Sequence, residues 1–180
     1  MLCKCILLSM VMIISCNIIF KCYINIMQLN YYDLPFGAQL LLWTSRMLIN
    51  GSCRSFPNKF QLVKIAYTKV GIVYGDSVLK RFLYMIKDKN DFNIQNNASL
   101  NLNTTEINII NCIEDYKKEK FTSNYYLKIW KINDNQMNFI NAAKDLAFLY
   151  EKFDLDTNLR SIYSNRATYK EEEFISKTLH

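Results

Sequence analysis

Apolar side chains recur every three or four residues along most of this chain, and no long alternating run competes with that spacing. A repeat near 3.6 residues places such side chains on one face of an α-helix. Glycine and proline, which β-sandwiches and barrels use at their turns, occur only four and two times. The pattern therefore predicts an all-α fold, an irregular bundle of about six short helices.

Helix-start and helix-stop signals indicate where each helix begins and ends. Residues 34–153 form a predicted helical domain, which includes a polar, Asn-rich connection at residues 88–103 that is expected to be flexible. The apolar pattern then fades, so residues 154–180 are expected to form a loosely ordered tail, with three consecutive glutamates at 171–173 as an exposed charge run. The helices are predicted at residues 36–49, 57–70, 77–87, 104–119, 123–132 and 136–153.

The same spacing predicts which side chains are buried. Leu40, Phe82, Ile113 and Leu146 lie on the apolar stripes of four different helices, so we expect them in a shared core. In the second helix, Phe60 begins the apolar repeat and is therefore predicted on the buried face.

The N-terminal segment, residues 1–26, differs from the rest of the chain because it is apolar and contains no charge from residue 5 to residue 20. A helix needs about 20 apolar residues to cross a bilayer, so this segment is near that length. Two interpretations stay open. The segment is an apolar N-terminal helix that anchors the protein to a membrane if Met1 is the true start, or it is a non-native extension of a cytoplasmic protein that starts at Met27.

Two sets of short motifs resemble those of known proteins. The sequence IISC at residues 13–16 resembles a bacterial lipobox, which makes Cys16 a candidate lipidation site, although residues 18–20 continue the apolar run where lipoproteins have a polar tether. The sequence NTTE at 103–106 resembles a capping box, with Glu106 placed to satisfy a free backbone amide at the start of a helix. This helix start and a leucine-rich first helix with WTSR at 43–46 are similar to small uncharacterised helical bacterial proteins. That resemblance implies a helical fold and no particular activity.

The chain lacks the side chains that most enzymes use. Its single histidine is His180, so no histidine is placed within the domain for proton transfer. Cys53 and Cys112 therefore have no histidine to activate them as nucleophiles. No glycine-rich phosphate-binding loop is present. We expect a protein that is not an enzyme, holds no cofactor or metal, and has no evident small-molecule substrate.

Positive charge is concentrated in residues 54–89, which contain eight basic and two acidic residues, whereas the rest of the chain contains 14 of each. Localised positive charge attracts polyanions and anionic membrane surfaces. Lysine, asparagine and isoleucine are also the residues that an AT-rich genome favours, so a solvated face without a partner is the alternative. The candidate polyanion-binding residues are Lys59, Lys64, Lys69, Lys80, Arg81 and Lys87.

These observations favour a non-enzymatic interaction or adaptor protein with an unidentified protein partner, held at a membrane if residues 1–26 are an anchor. The alternative is binding of nucleic acid or another polyanion through the basic helices in residues 54–89, which can be drawn as a helix-turn-helix. An anionic lipid surface is a further candidate partner.

Overall fold

The computed structural model describes residues 29–51, 58–89, 91–119 and 123–159, and within these ranges the chain forms six α-helices and no β-strand. The predicted all-α bundle is therefore confirmed. The predicted N-terminal helix and Cys16 lie outside the described ranges, and no helix inside them has the length and apolar character needed to cross a membrane. The helices are α1 (Phe36–Asn50), α2 (Lys59–Lys69), α3 (Gly75–Ile86), α4 (Thr104–Lys117), α5 (Ser123–Ile129) and α6 (Gln136–Lys152).

The core forms around α6, which packs against α3 and α4, while α1 packs against α2, α3 and α4. Leu40, Phe82, Ile113 and Leu146 are all buried, as the apolar spacing predicts. Two adjacent alanines of α6 at residues 142–143 are fully buried, and their small side chains permit close approach of the neighbouring helices.

The prediction for Phe60 is wrong, because 49% of this residue is exposed. Val63 and Tyr67, which continue the same repeat, are buried and fill the interior side of α2. Phe60 lies in the first turn of the helix, and its ring packs beside the ammonium groups of Lys59 and Lys80 instead of entering the core. The first turn of α2 therefore presents a large aromatic ring to solvent.

The connection between α3 and α4 packs on the domain, although its polar composition predicts a flexible loop. Ile94 and Leu102 are buried, and the side-chain amide of Asn50 donates to the Ile94 carbonyl oxygen at 2.7 Å. The backbone N–H of Leu102 donates to the Leu29 carbonyl oxygen at 3.3 Å. Hydrogen bonds and apolar contacts thus hold both ends of the connection.

A buried ion pair between Arg46 of α1 and Glu106 of α4 also holds this connection in place. Arg46 is 1% exposed, and its Nε and Nη2 donate to the two carboxylate oxygens at 2.7 and 3.0 Å. Its Nη1 donates to the Ser99 carbonyl oxygen at 2.6 Å, and Nη2 also donates to that of Asn101 at 3.2 Å. Arg46 therefore joins α1, the connection and α4 through one side chain.

Glu106 satisfies backbone groups as well. The backbone N–H groups of Gln95 and Asn103 donate to its carboxylate at 3.1 and 3.0 Å. The Asn103 side chain accepts in return from the Glu106 N–H at 2.9 Å, which completes the capping box that the sequence predicts at the start of α4. Both charged groups are thus hydrogen-bonded where water is excluded.

Residues 154–159, which the sequence pattern assigns to a loose tail, pack on the helices. Leu155 and Leu159 are buried, and the Thr157 hydroxyl donates to Glu114 of α4 at 2.6 Å. The Lys117 ammonium group donates to the Leu155 carbonyl oxygen at 3.0 Å. Residues 154–159 therefore pack against the helices, and residues 160–180 lie outside the described ranges.

Replacing Gly75 by alanine tests how tightly α2 and α3 pack. An added Cβ would overlap the buried ring of Tyr67, so we expect Gly75→Ala to lower the unfolding free energy by about 1–3 kcal/mol. Helix propensity alone predicts the opposite sign, a gain of about 0.5–1 kcal/mol. The measurement is urea unfolding followed by far-UV circular dichroism. The exposed Ser77 in the same turn provides the control, and an equal gain in stability for Gly75→Ala and Ser77→Ala would contradict the packing.

Acid titration tests the contact between α4 and residues 154–159. Burial raises the pKa of Glu114, but hydrogen bonds from Lys118 and Thr157, together with the charges of Lys117 and Lys118, outweigh it and lower the pKa below the usual 4.5. A carboxylate with a lowered folded pKa contributes stability above its unfolded pKa and loses it as the pH falls through the folded pKa.

We expect Glu114→Gln to lower the unfolding free energy at pH 7 by about 1–3 kcal/mol. The deficit should shrink as the pH falls below 4.5, because the wild-type carboxylate is then protonated as well. Urea unfolding at a series of pH values measures this, with the exposed Glu151→Gln as the matched control. A deficit that does not change with pH would show that the charge of Glu114 is not what stabilises the contact.

Candidate functional site

The candidate site lies on α2 and α3, which are joined by the short link 70–74. Gly71 in this link has a φ of +84°, a left-handed conformation that glycine adopts without steric cost. Gly75, the first residue of α3, lies against the Tyr67 ring of α2, so the two helices approach closely. The link thus places one side of α2 next to one side of α3.

Two adjoining depressions run along the outer side of this helix pair, with volumes of about 820 and 510 Å³. Phe60 and Lys80 line both of them. The larger depression also contains Lys64 and Lys69, and the smaller contains Lys59 and Lys87. We call the five lysines and the surface between them the lysine face, which comprises Lys59, Lys64, Lys69, Lys80 and Lys87.

Arg81 is the one predicted polyanion-binding residue that lines neither depression. It forms an ion pair with Asp145 of α6, so its side chain is directed towards the α3–α6 contact. The structure therefore brings five of the six predicted residues together and separates the sixth from them.

Lys59 and Lys80 are held by neighbours within the described part of the chain. The Lys59 ammonium group donates to the Leu48 carbonyl oxygen at 2.8 Å, and that of Lys80 lies 3.2 Å from Asp76. The Lys80 ammonium group also lies 4.6 Å from the centroid of the Phe60 ring, a distance that allows a cation–π interaction. These contacts fix two positive charges beside an exposed aromatic ring.

Lys64, Lys69 and Lys87 are exposed and form no ion pair with another described residue. The Lys87 ammonium group lies 4.8 Å from the centroid of the Tyr84 ring. Asp76 and Asp88 also line the depressions, so five lysines face two aspartates and three positive charges are in excess. Three lysines of this surface are thus available to an incoming anion.

Exposed apolar side chains lie among the lysines. Phe60, Ile65 and Tyr84 are 49%, 44% and 68% exposed, and each lines at least one depression. Sequence reasoning did not identify Ile65 or Tyr84. The available signal was that both side chains lie off the apolar stripes of their helices, where an apolar residue is expected to be exposed. The face therefore offers apolar contact area together with positive charge.

Potential metal ligands and buried ionisable side chains both occur within the described residues. No group of three His, Cys, Asp or Glu side chains in the described ranges could hold a metal ion. Burial raises the pKa of the Cys112 thiol well above its usual value, and burial raises the pKa of Tyr67 to about 12, so neither group is ionised at neutral pH. What the geometry offers is a surface on which lysines lie among exposed apolar side chains.

Comparison of the chain with protein-family models, with curated proteins and with solved structures found no match. The resemblance to small helical bacterial proteins therefore stays a prediction.

Proposed function

We propose that this protein is a non-enzymatic interaction protein that binds an acidic partner through the lysine face. The observation that carries the proposal is the convergence of five lysines from two helices around the exposed Phe60 ring, with three positive charges in excess. Such a surface steers an acidic partner towards itself and disfavours basic ones.

Charge alone gives this surface limited affinity. An exposed lysine–carboxylate pair contributes about 0–1 kcal/mol, so the three available lysines together supply at most about 3 kcal/mol. A micromolar complex needs about 8 kcal/mol. The exposed Phe60, Ile65 and Tyr84 provide the remaining contribution through apolar contact, which favours a partner that presents both acidic and apolar groups.

Nucleic-acid binding through α2 and α3 has less support. In a helix-turn-helix, side chains near the start of the second helix reach the bases or the phosphates. Here the first basic side chains of the second helix, Lys80 and Arg81, lie at its middle and are already paired with Asp76 and Asp145. The lysines that stay available lie mainly on α2, which would be the supporting helix of such a motif.

Charge reversal of the available lysines tests the proposal. We expect the triple variant Lys64→Glu, Lys69→Glu and Lys87→Glu to elute from immobilised heparin at a lower salt concentration than the wild type, because the lysine face has lost its excess positive charge. The elution salt concentration is the measurement, and far-UV circular dichroism verifies that each variant is folded.

The matched control changes three exposed lysines elsewhere, Lys128, Lys144 and Lys152, to glutamate. Both variants change the net charge equally, so any difference between them reports position and not total charge. If the two variants elute at the same salt concentration, the lysine face has no special affinity and the proposed function fails.

A further inference from the structure

We infer that residues 171–175 of this same chain, with the sequence EEEFI, occupy the lysine face when no other partner is bound. The inference rests on the proposed function of the lysine face and names its occupant. Residues 171–173 are the only three consecutive acidic residues in the sequence, and they are followed directly by Phe174 and Ile175. The segment therefore combines the acidic and apolar groups that the lysine face would bind.

The charges of the two surfaces match. Three glutamates would meet a face whose five lysines and two aspartates leave three positive charges in excess, and on which Lys64, Lys69 and Lys87 are exposed. Lys170 and Lys177 flank the acidic run, so the complementary stretch is limited to residues 171–175. Other acidic residues occur singly or in pairs, and several already hold partners, as Asp145 and Glu114 do.

The apolar groups match as well. The exposed rings of Phe60 and Tyr84 and the exposed side chain of Ile65 offer contact area for Phe174 and Ile175. The same rings already have lysine ammonium groups close to them, at 4.6 Å for Phe60 and 4.8 Å for Tyr84. A carboxylate that binds one of these lysines would therefore lie next to an aromatic ring. The segment 171–175 fits this arrangement, because its glutamates are followed directly by Phe174.

The chain is long enough to make this contact. The described chain ends at residue 159, and six residues earlier Phe153 lies next to Gly71 in the link between α2 and α3, at one end of the lysine face. Residues 159–171 can extend over about 40 Å, whereas a domain of this size has a radius of gyration of only about 14 Å. The chain between residue 159 and the acidic run is therefore long enough to span the domain to the lysine face without any rearrangement of the helices.

Covalent connection favours this occupant over a second copy of the chain. Two groups on one chain meet at an effective concentration in the millimolar range. A contact that is too weak to form between separate molecules at micromolar concentration is therefore populated within one molecule. An external acidic partner would have to displace residues 171–175, which makes the segment a built-in competitor for the site.

Zero-length cross-linking of the full chain with a carbodiimide tests the inference, because this reagent joins only carboxylates and amines that are in contact. We expect Glu171, Glu172 and Glu173 to cross-link to Lys64, Lys69 and Lys87 several-fold more often than to the control lysines 128, 144 and 152. Peptide mass spectrometry of the monomeric product measures the ratio, and the preference should disappear in high salt.

Equal cross-linking to both sets of lysines would overturn the inference. Cross-links that occur only in a dimeric product, with a yield that rises with protein concentration, would overturn it in favour of a second copy. Neither result affects the proposed function, which depends on heparin retention of the lysine-face variants. Conversely, unchanged heparin retention of those variants would remove the proposed function whatever the cross-links show.

A second measurement uses neutral variants of the same length. Changing Glu171, Glu172 and Glu173 to glutamine should raise the salt concentration needed to elute the protein from heparin, because the lysine face is no longer covered. The control neutralises three exposed carboxylates on the domain, through Asp134→Asn, Glu151→Gln and Asp154→Asn. An equal rise for both variants would show that only net charge matters and would count against occupation of the face.

Discussion

The buried pair of Arg46 and Glu106 is the interaction on which the arrangement of this domain depends. Removing two charges from water costs several kcal/mol per ion, and that cost is offset only when the pair has good geometry and its remaining donors and acceptors are satisfied. Both conditions are met, since two hydrogen bonds join the side chains and two carbonyl and two N–H groups of the 88–103 connection satisfy the rest. A polar segment with few apolar residues is thereby held in one place.

The position of α1 links this pair to the lysine face. Two positions before Arg46, the Thr44 hydroxyl lies 3.4 Å from that of Tyr67, which in turn lies 3.0 Å from the hydroxyl of Tyr150. These three buried hydroxyls connect α1, α2 and α6. The Tyr67 hydroxyl contacts Thr44 and Tyr150, and the Tyr67 ring lies against Gly75 of α3. These contacts hold α3 beside α2, so that the lysines of the two helices form one surface.

Sequence reasoning identified the helices well because each apolar stripe is a local signal that repeats within a few residues. Glu106 was recognised as a capping residue for the same reason, since its partner Asn103 is three positions away. The partner of Arg46, in contrast, is sixty positions distant, and nothing local indicates it. Long-range pairing of this kind is set by how the helices pack and is not encoded in the spacing along one helix.

The candidate site was predicted in part, and its errors have a clear cause. The charge concentration in residues 54–89 identified the five lysines, but it also included Arg81, which is adjacent to Lys80 in the sequence. The two side chains point about 100° apart on the helix, and a count of charges along the chain does not show that difference. The apolar repeat of α2 predicted Phe60 as buried. Periodicity shows which side of a helix faces the core, but it does not show at which residue along the helix the core ends. Both distinctions depend on where α3 and α6 lie, which only the folded structure shows.

A double-mutant cycle on Arg46 and Glu106 tests most directly whether this buried pair organises the domain. We expect Arg46→Met and Glu106→Gln each to lower the unfolding free energy by about 3–5 kcal/mol, because each leaves a buried charged or polar group without its partner. The double variant should lose about as much as one single variant, so that urea unfolding gives a coupling energy above about 2 kcal/mol. Losses that add to within about 0.5 kcal/mol would contradict the account, because the two side chains would then contribute independently.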